Sequence, residues 1–150
     1  MREDKGDVVI VELGCGEIPF VSHERLVATS IAPLGTGSSS YPLLSINANP
    51  KLQIKAYDYS AQAIKFFQAN PMYSSAPFTK DPTTSNPVVG SISASTWDIT
   101  SPDLPPGLSE GSADIVILVF VLSALRPEEW AIAVNNIHRV NYPIFNACQI

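Results

Sequence analysis

A chain of 150 residues, 45% of them hydrophobic, is long enough to bury one core and requires no second domain. Its 14 acidic against 9 basic residues and a formal charge of -5 exclude a self-sufficient nucleic-acid binder, because too few cations are available for phosphate contacts. Cys15 and Cys148 stand far apart and outside any CxxC or Cys/His cluster, which argues against a disulfide framework or a zinc site and for a reducing compartment, the cytoplasm.

The first strand is predicted over about Asp7 to Leu13, carried by the apolar run Val8-Val9-Ile10-Val11. Directly behind it, Glu12-Leu13-Gly14-Cys15-Gly16 reads as a tight turn in which two glycines let the backbone approach a ligand closely. An open α/β sheet binds outside the carboxyl ends of its strands, so a nucleotide-like cofactor is the leading expectation. Leu52 to Tyr57 forms the second strand and ends at Asp58; Ser60 then caps a helix beginning at Ala61, with Ala63, Ile64 and Phe67 on one face. That helix is predicted to stop at Asn70-Pro71.

The stretch 71–90 is rich in Pro, Ser and Thr without periodicity and is expected to be a flexible loop. A third strand follows from about Ser91 to Trp97 and ends at Asp98. The fourth, Ala113 to Phe120, is apolar apart from Asp114 and is predicted to be central and buried on both faces. Pro127, followed by Glu128 and Glu129, opens a last helix that runs to about Val140, and the tail 141–150 has no clear pattern. Strands alternating with helical patterns predict a parallel sheet with helices on both faces, a Rossmann-like α/β fold. The mixed-charge start Met1-Arg2-Glu3-Asp4-Lys5 predicts no signal peptide, and the longest apolar run falls far short of the roughly 20 residues of a membrane span.

Placed in this order, the segments Glu12-Leu13-Gly14-Cys15-Gly16, Tyr57-Asp58-Tyr59-Ser60-Ala61-Gln62-Ala63-Ile64, Asn70-Pro71-Met72-Tyr73, Asp98-Ile99-Thr100 and Asp114 to Pro127 resemble the class I S-adenosylmethionine-dependent methyltransferases. Within that group the chain is most similar to the methyltransferase-like enzymes that form 3-methylcytidine in tRNA. Phe120-Val121-Leu122-Ser123-Ala124-Leu125 is the most specific part of the match. The chain departs from the family in two places. Residues 17–35 read as an insertion, since joining Gly16 to Thr36-Gly37-Ser38 restores the family loop; a retained intron translated in frame is one origin. After the last helix, Asn141-Tyr142-Pro143 replaces the family's Leu-Lys-Pro-Gly-Gly turn, so four of the family's seven strands are expected and the C-terminal ones are missing. The fourth strand would then lie near an open edge unless the tail or a partner covers it.

The resemblance implies S-adenosylmethionine as cofactor. Asp58 follows Gly37 by about 20 positions, the spacing of a glycine turn and a ribose-binding acid, and Tyr59 joins it in the implied cofactor set. Gly14 and Gly16 would pass the methionine part, with Glu12 beneath the turn fixing water or the cofactor's amino group. Asp98 resembles the acid that faces the adenine amino group, with Ile99 against the ring. Trp97 either stacks near the adenine or packs in the core. Ser123 and Arg126 are candidate substrate contacts, while Phe120, Leu122 and Leu125 are expected to pack. Cys15 reads as a small loop residue, not a nucleophile, and His23 and His138 as surface residues with no metal site. No catalytic base is singled out, because the N3 of cytosine carries an available lone pair.

The leading expectation is methyl transfer to N3 of a tRNA cytidine in the anticodon region, with tRNA contacts supplied by segments largely absent here and a protein partner such as a synthetase as a further possibility. A truncated, non-catalytic cofactor-binding fragment is the alternative from another class. A nicotinamide-dependent oxidoreductase also uses a glycine turn and a strand-end acid, but the third glycine of its motif is missing from Gly14-Cys15-Gly16-Glu17-Ile18-Pro19.

Overall fold

The computed structural model describes residues 6–16, 37–74 and 90–141. Strands β1 (Val8–Leu13), β2 (Leu52–Asp58), β3 (Ser91–Thr96) and β4 (Ile115–Leu118) form one sheet in the order β3-β2-β1-β4, and every pairing is parallel. Helices α1 (Ser40–Ile46), α2 (Ala61–Gln68), the short α3 (Pro71–Ser74), a single turn α4 (Val121–Ala124) and α5 (Trp130–Val140) complete the described elements, with a 3-10 turn over Pro127–Glu129 running into α5.

Strand alternation divides the core between the two faces of the sheet. Val11 and Leu13 of β1 point with Tyr57, Trp97 and Ile99 toward Ala133 of α5. Ile10 and Ile54 pack with Leu44 of α1, and Ala56 and Ala94 pack with Ile64 and Phe67 of α2. Helices therefore cover both faces. Phe67 is fully buried, stacks at 4.8 Å on Tyr41, and accepts the Tyr41 hydroxyl at its own carbonyl, which joins α1 to α2.

Local chemistry accounts for the helix ends. Ser60 sits in an extended conformation and its Oγ accepts the Ala63 amide at 3.3 Å, an N-cap of the predicted kind. Helix α2 stops before Asn70-Pro71, but the chain does not loosen there. Asn70 Oδ1 accepts the Met72 amide at 2.9 Å, Pro71 begins α3, and Met72 and Tyr73 pack on the core. The start of the 71–90 stretch is thus helical where a loop was expected; residues 75–89 lie outside the described residues, as do 17–36 with His23 and the tail beyond Asn141.

The fourth strand differs from its prediction. It occupies an edge of the described sheet instead of its centre, and Ile115 is 49% exposed, because β1 pairs with it on one side only. It is also shorter than Ala113 to Phe120. At the far end Phe120 turns into the left-handed region at φ 59°, which stops the extended run. At the near end Ala113 makes a parallel bridge to Asn141 and donates its amide to the Val140 carbonyl at 2.8 Å. The last helix also opens differently: Pro127–Glu129 is a 3-10 turn and the α-helix begins at Trp130.

Candidate cofactor and acceptor cleft

The carboxyl ends of all four strands open into one cleft of about 1000 Å³. Leu13, Gly14 and Gly16 enter from β1, Tyr57, Asp58 and Tyr59 from β2, Trp97, Asp98 and Ile99 from β3, and Val119, Phe120 and Val121 from β4. This is where an open parallel sheet holds its ligand.

The glycine turn is built by hydrogen bonds to its neighbour strand. Gly14 and Cys15 donate their amides to the Tyr57 carbonyl at 2.9 and 3.3 Å, and Gly16 donates to Asp58 Oδ2 at 3.0 Å. Gly14 has φ +72°, and a Cβ there would stand 2.6 Å from Val121 Cγ2; a Cβ on Gly16 would collide with Ala63. Neither position admits a side chain without moving a neighbour. Asp58 Oδ1 accepts the Ser60 amide at 2.8 Å, so one carboxylate ties the glycine turn to the cap of α2 while remaining half-buried at the cleft wall. A carboxylate offers about four acceptor positions, so two bonds leave capacity for ligand hydroxyls.

Asp98 is exposed and caps its own turn: Oδ1 accepts the Thr100 amide at 2.8 Å and the Thr100 hydroxyl at 2.7 Å. Its loop is anchored from the helical layer. Buried Asn136 of α5 donates Nδ2 to the carbonyls of Ile99 at 2.7 Å and Ser101 at 2.8 Å. Ile99 is buried beneath the cleft. Trp97 belongs mainly to the core, edge-on to Tyr57 at 6.1 Å with its indole N–H donating to the Asp103 carbonyl, although one side of it reaches the cleft. Tyr59 is 80% exposed at the cleft mouth, and Phe66, Gln62 and Ser38 also line it.

Four sequence-predicted positions, Glu12, Gly37, Ser123 and Arg126, lie outside the cleft lining. Glu12 is not a cleft residue: it is buried, and its carboxylate accepts the Ser39 and Ser40 amides at 3.3 and 3.1 Å and the Ser40 hydroxyl, so it holds the start of α1. Its strand position explains this, since alternation turns it to the α1 face between Val11 and Leu13, which face α5. Ser123 is exposed and spends its hydroxyl on the Phe120 carbonyl at 2.7 Å. Arg126 is exposed and paired with Glu129 at 2.8 Å; Glu129, not Arg126, reaches the cleft. That pairing holds the Glu129 carboxyl below its ordinary range. Gly37 is buried behind the cleft, and its amide donates to the Cys15 carbonyl at 2.7 Å.

Cys15 is almost wholly buried, and burial, followed by the nearby Asp58 and Glu12 charges, pushes its thiol far up. Such a thiol stays protonated and makes a poor nucleophile. Among the described residues no group of three His, Cys, Asp or Glu could hold a metal ion, and no helix is long and apolar enough to cross a membrane. His138 is exposed on α5.

Sequence comparison finds close relatives. The chain is 33% identical over 143 residues, 95% of its length and 36% of the relative's, to tRNA N(3)-methylcytidine methyltransferase trm140 of Schizosaccharomyces pombe. It is 30% identical over 144 residues, 18% of the relative's length, to tRNA(Thr) (cytosine(32)-N(3))-methyltransferase of Saccharomyces cerevisiae. It is 31% identical over 109 residues, 25% of the relative's length, to human tRNA N(3)-cytidine methyltransferase METTL2B. The chain thus spans about a third or less of these proteins. No family model matches it. Among solved structures, an S-adenosylmethionine-dependent methyltransferase from Methanosarcina mazei superposes with a TM-score of 0.57 at 17% identity, covering 91% of this chain and 49% of that one. The methyltransferase domain of the citrinin polyketide synthase gives 0.56 at 22% identity, covering 94% and 28%.

Proposed function

For a homologue of the tRNA N(3)-cytidine methyltransferases that carries the class I methyltransferase fold, we propose transfer of a methyl group from S-adenosylmethionine to N3 of a tRNA cytidine. One observation carries the reading: a single cleft joins a turn whose two glycines leave bare backbone at its wall, a strand-end acid hydrogen-bonded to that turn, and a second strand-end acid, in a chain with these relatives.

The residues present fit the cofactor. Asp58 has acceptor capacity left for vicinal ribose hydroxyls, the bare backbone of Gly14 and Gly16 gives room to the amino-acid part, and Asp98 with Ile99 supplies an acceptor and an apolar floor for the adenine. Bound there, the sulfonium supplies an activated methyl carbon. The cytosine N3 lone pair forms the new C–N bond as the S–C bond breaks, so the chain's residues need only align donor and acceptor, and no side chain has to remove a proton beforehand. The positive charge passes from sulfur to the methylated base. Action on tRNA in the cytoplasm, with remaining tRNA contacts from a longer chain or a protein partner, completes the proposal.

Calorimetric titration of S-adenosylhomocysteine into the chain tests it, followed by transfer of labelled methyl to tRNA. Micromolar binding and label on cytidine are expected; absence of binding overturns the reading. A second reading, a segment that binds cofactor without transferring methyl, is favoured by the half-exposed edge strand β4, which leaves one side of the cleft's sheet unpaired among the described residues. Binding without transfer would select it.

A further inference from the structure

Phe120 is the one non-glycine residue with positive φ among the described residues. A bulky side chain is sterically disfavoured there, and such a conformation persists only where the surroundings impose it. Three contacts do so. The Ser123 hydroxyl holds the Phe120 carbonyl at 2.7 Å, Val121 fills the space that the missing Gly14 side chain leaves, and the Trp130 indole N–H donates to the Leu122 carbonyl at 2.9 Å.

The result runs against hydrophobic burial. Leu122 and Leu125, from the same apolar segment, pack on the core, whereas Phe120 is 84% exposed and lines the cleft. Its place in the sheet is informative. With strand order β3-β2-β1-β4, Asp98 and Asp58 stand on one side of the glycine turn and Phe120 on the other. Adjacent strands are spaced by about 4.8 Å, so the Asp58 and Phe120 strands are separated by roughly 10 Å, enough for a nucleoside held at Asp58 to extend its reactive end over Gly14 toward the ring.

We propose that Phe120 is the stacking platform for the acceptor base, so that the cytidine is turned out of its own stack and laid on this ring beside the cofactor. An exposed aromatic face is a general base-stacking surface, and enzymes that modify a base commonly extract it from the stack. This deepens the methyltransferase reading and rests on it.

The test uses the whole chain with carbon-13-labelled phenylalanine, saturated with S-adenosylhomocysteine, titrated with an anticodon stem-loop RNA that carries a cytidine in its loop. The Phe120 ring signal, identified by its loss in Phe120→Tyr and again in Phe120→Leu, is expected to move on RNA addition. Phe120→Leu is expected to weaken RNA binding roughly tenfold to a hundredfold, Phe120→Tyr to retain it, and both to keep S-adenosylhomocysteine affinity within about twofold of the parent, on the same stacking argument. RNA binding with an unmoved ring signal overturns the stacking role and leaves the methyltransferase reading standing. Because this acidic chain has few cations for tRNA phosphates, saturating cytidine nucleoside serves as a second probe that needs none of them, and a Phe120 ring signal that cytidine leaves unmoved overturns the platform while cofactor binding keeps the methyltransferase reading. Should Phe120→Leu fail to fold, the ring shift and the Phe120→Tyr affinity still decide.

Discussion

The amide of Gly37 donates to the carbonyl of Cys15 at 2.7 Å, so the chain returns beside the place it left at Gly16. With 17–35 removed, Cys15, Gly16, Thr36 and Gly37 become consecutive, and the same bond becomes the i to i+3 closure of a four-residue turn.

Deletion of 17–35 is therefore expected to preserve the fold and raise its stability by about 1–2 kcal/mol, the entropy of closing the longer loop. Urea denaturation of the two forms checks this. A deleted form that is less stable, or that binds S-adenosylhomocysteine more weakly, would mean that the segment contributes to the site.

Asp58→Asn keeps the side chain's shape and removes the charge that two backbone amides and the proposed ribose hydroxyls share. Charge-assisted bonds contribute about 1.5–3 kcal/mol each, so affinity for S-adenosylhomocysteine should fall roughly tenfold to a hundredfold by calorimetry. Nicotinamide dinucleotides serve as the control ligand and should show no binding to either form.

Asn136→Ala would leave the Ile99 carbonyl without its buried donor and free the Ser101 carbonyl as well. We expect a loss of about 2–4 kcal/mol in unfolding experiments, from orphaned acceptors and a small cavity. Because the anchored loop carries Asp98, cofactor affinity should weaken in the folded population too, whereas Ile132→Ala on the exposed side of α5 should change neither.

Alkaline pH should destabilise the fold. Burial pushes the Cys15 and Tyr41 groups far up and the Tyr57 hydroxyl up to about 12. In the unfolded chain these groups ionise near their ordinary values of 9.0 and 10.0. Above pH 9 the folded state therefore holds more protons than the unfolded one, and stability falls as pH rises. Denaturation midpoints that decline from pH 9 toward 11 are expected, with a shallower decline in Tyr57→Phe.

Much of this architecture is legible in local patterns. β-branched runs mark the strands, Ser60 marks the start of α2, and each acid at a strand end falls at the cleft because carboxyl ends of parallel strands share one rim. The misplacements arise where a distant partner decides. Glu12 looks like a cleft residue until Ser39 and Ser40, 27 and 28 positions later, bring the start of α1 onto it. Ser123 is the local exception: its hydroxyl is spent on the Phe120 carbonyl three residues back, in a turn that the left-handed Phe120 creates. A left-handed phenylalanine has no sequence signature, since glycine or asparagine is what that conformation normally selects. Asn136 reads as one polar residue in an amphipathic helix, and only the packed structure turns it toward the Asp98 loop.

The order β3-β2-β1-β4 also has a consequence for synthesis. β1 is made before the other three strands, yet it is paired on both sides, and the bond from the Val9 amide to the Asp114 carboxylate spans 105 positions. Its β2 edge can be filled once residues 52–58 are made, but its β4 edge stays bare until residues 115–118 follow, which favours slow, late closure of the sheet.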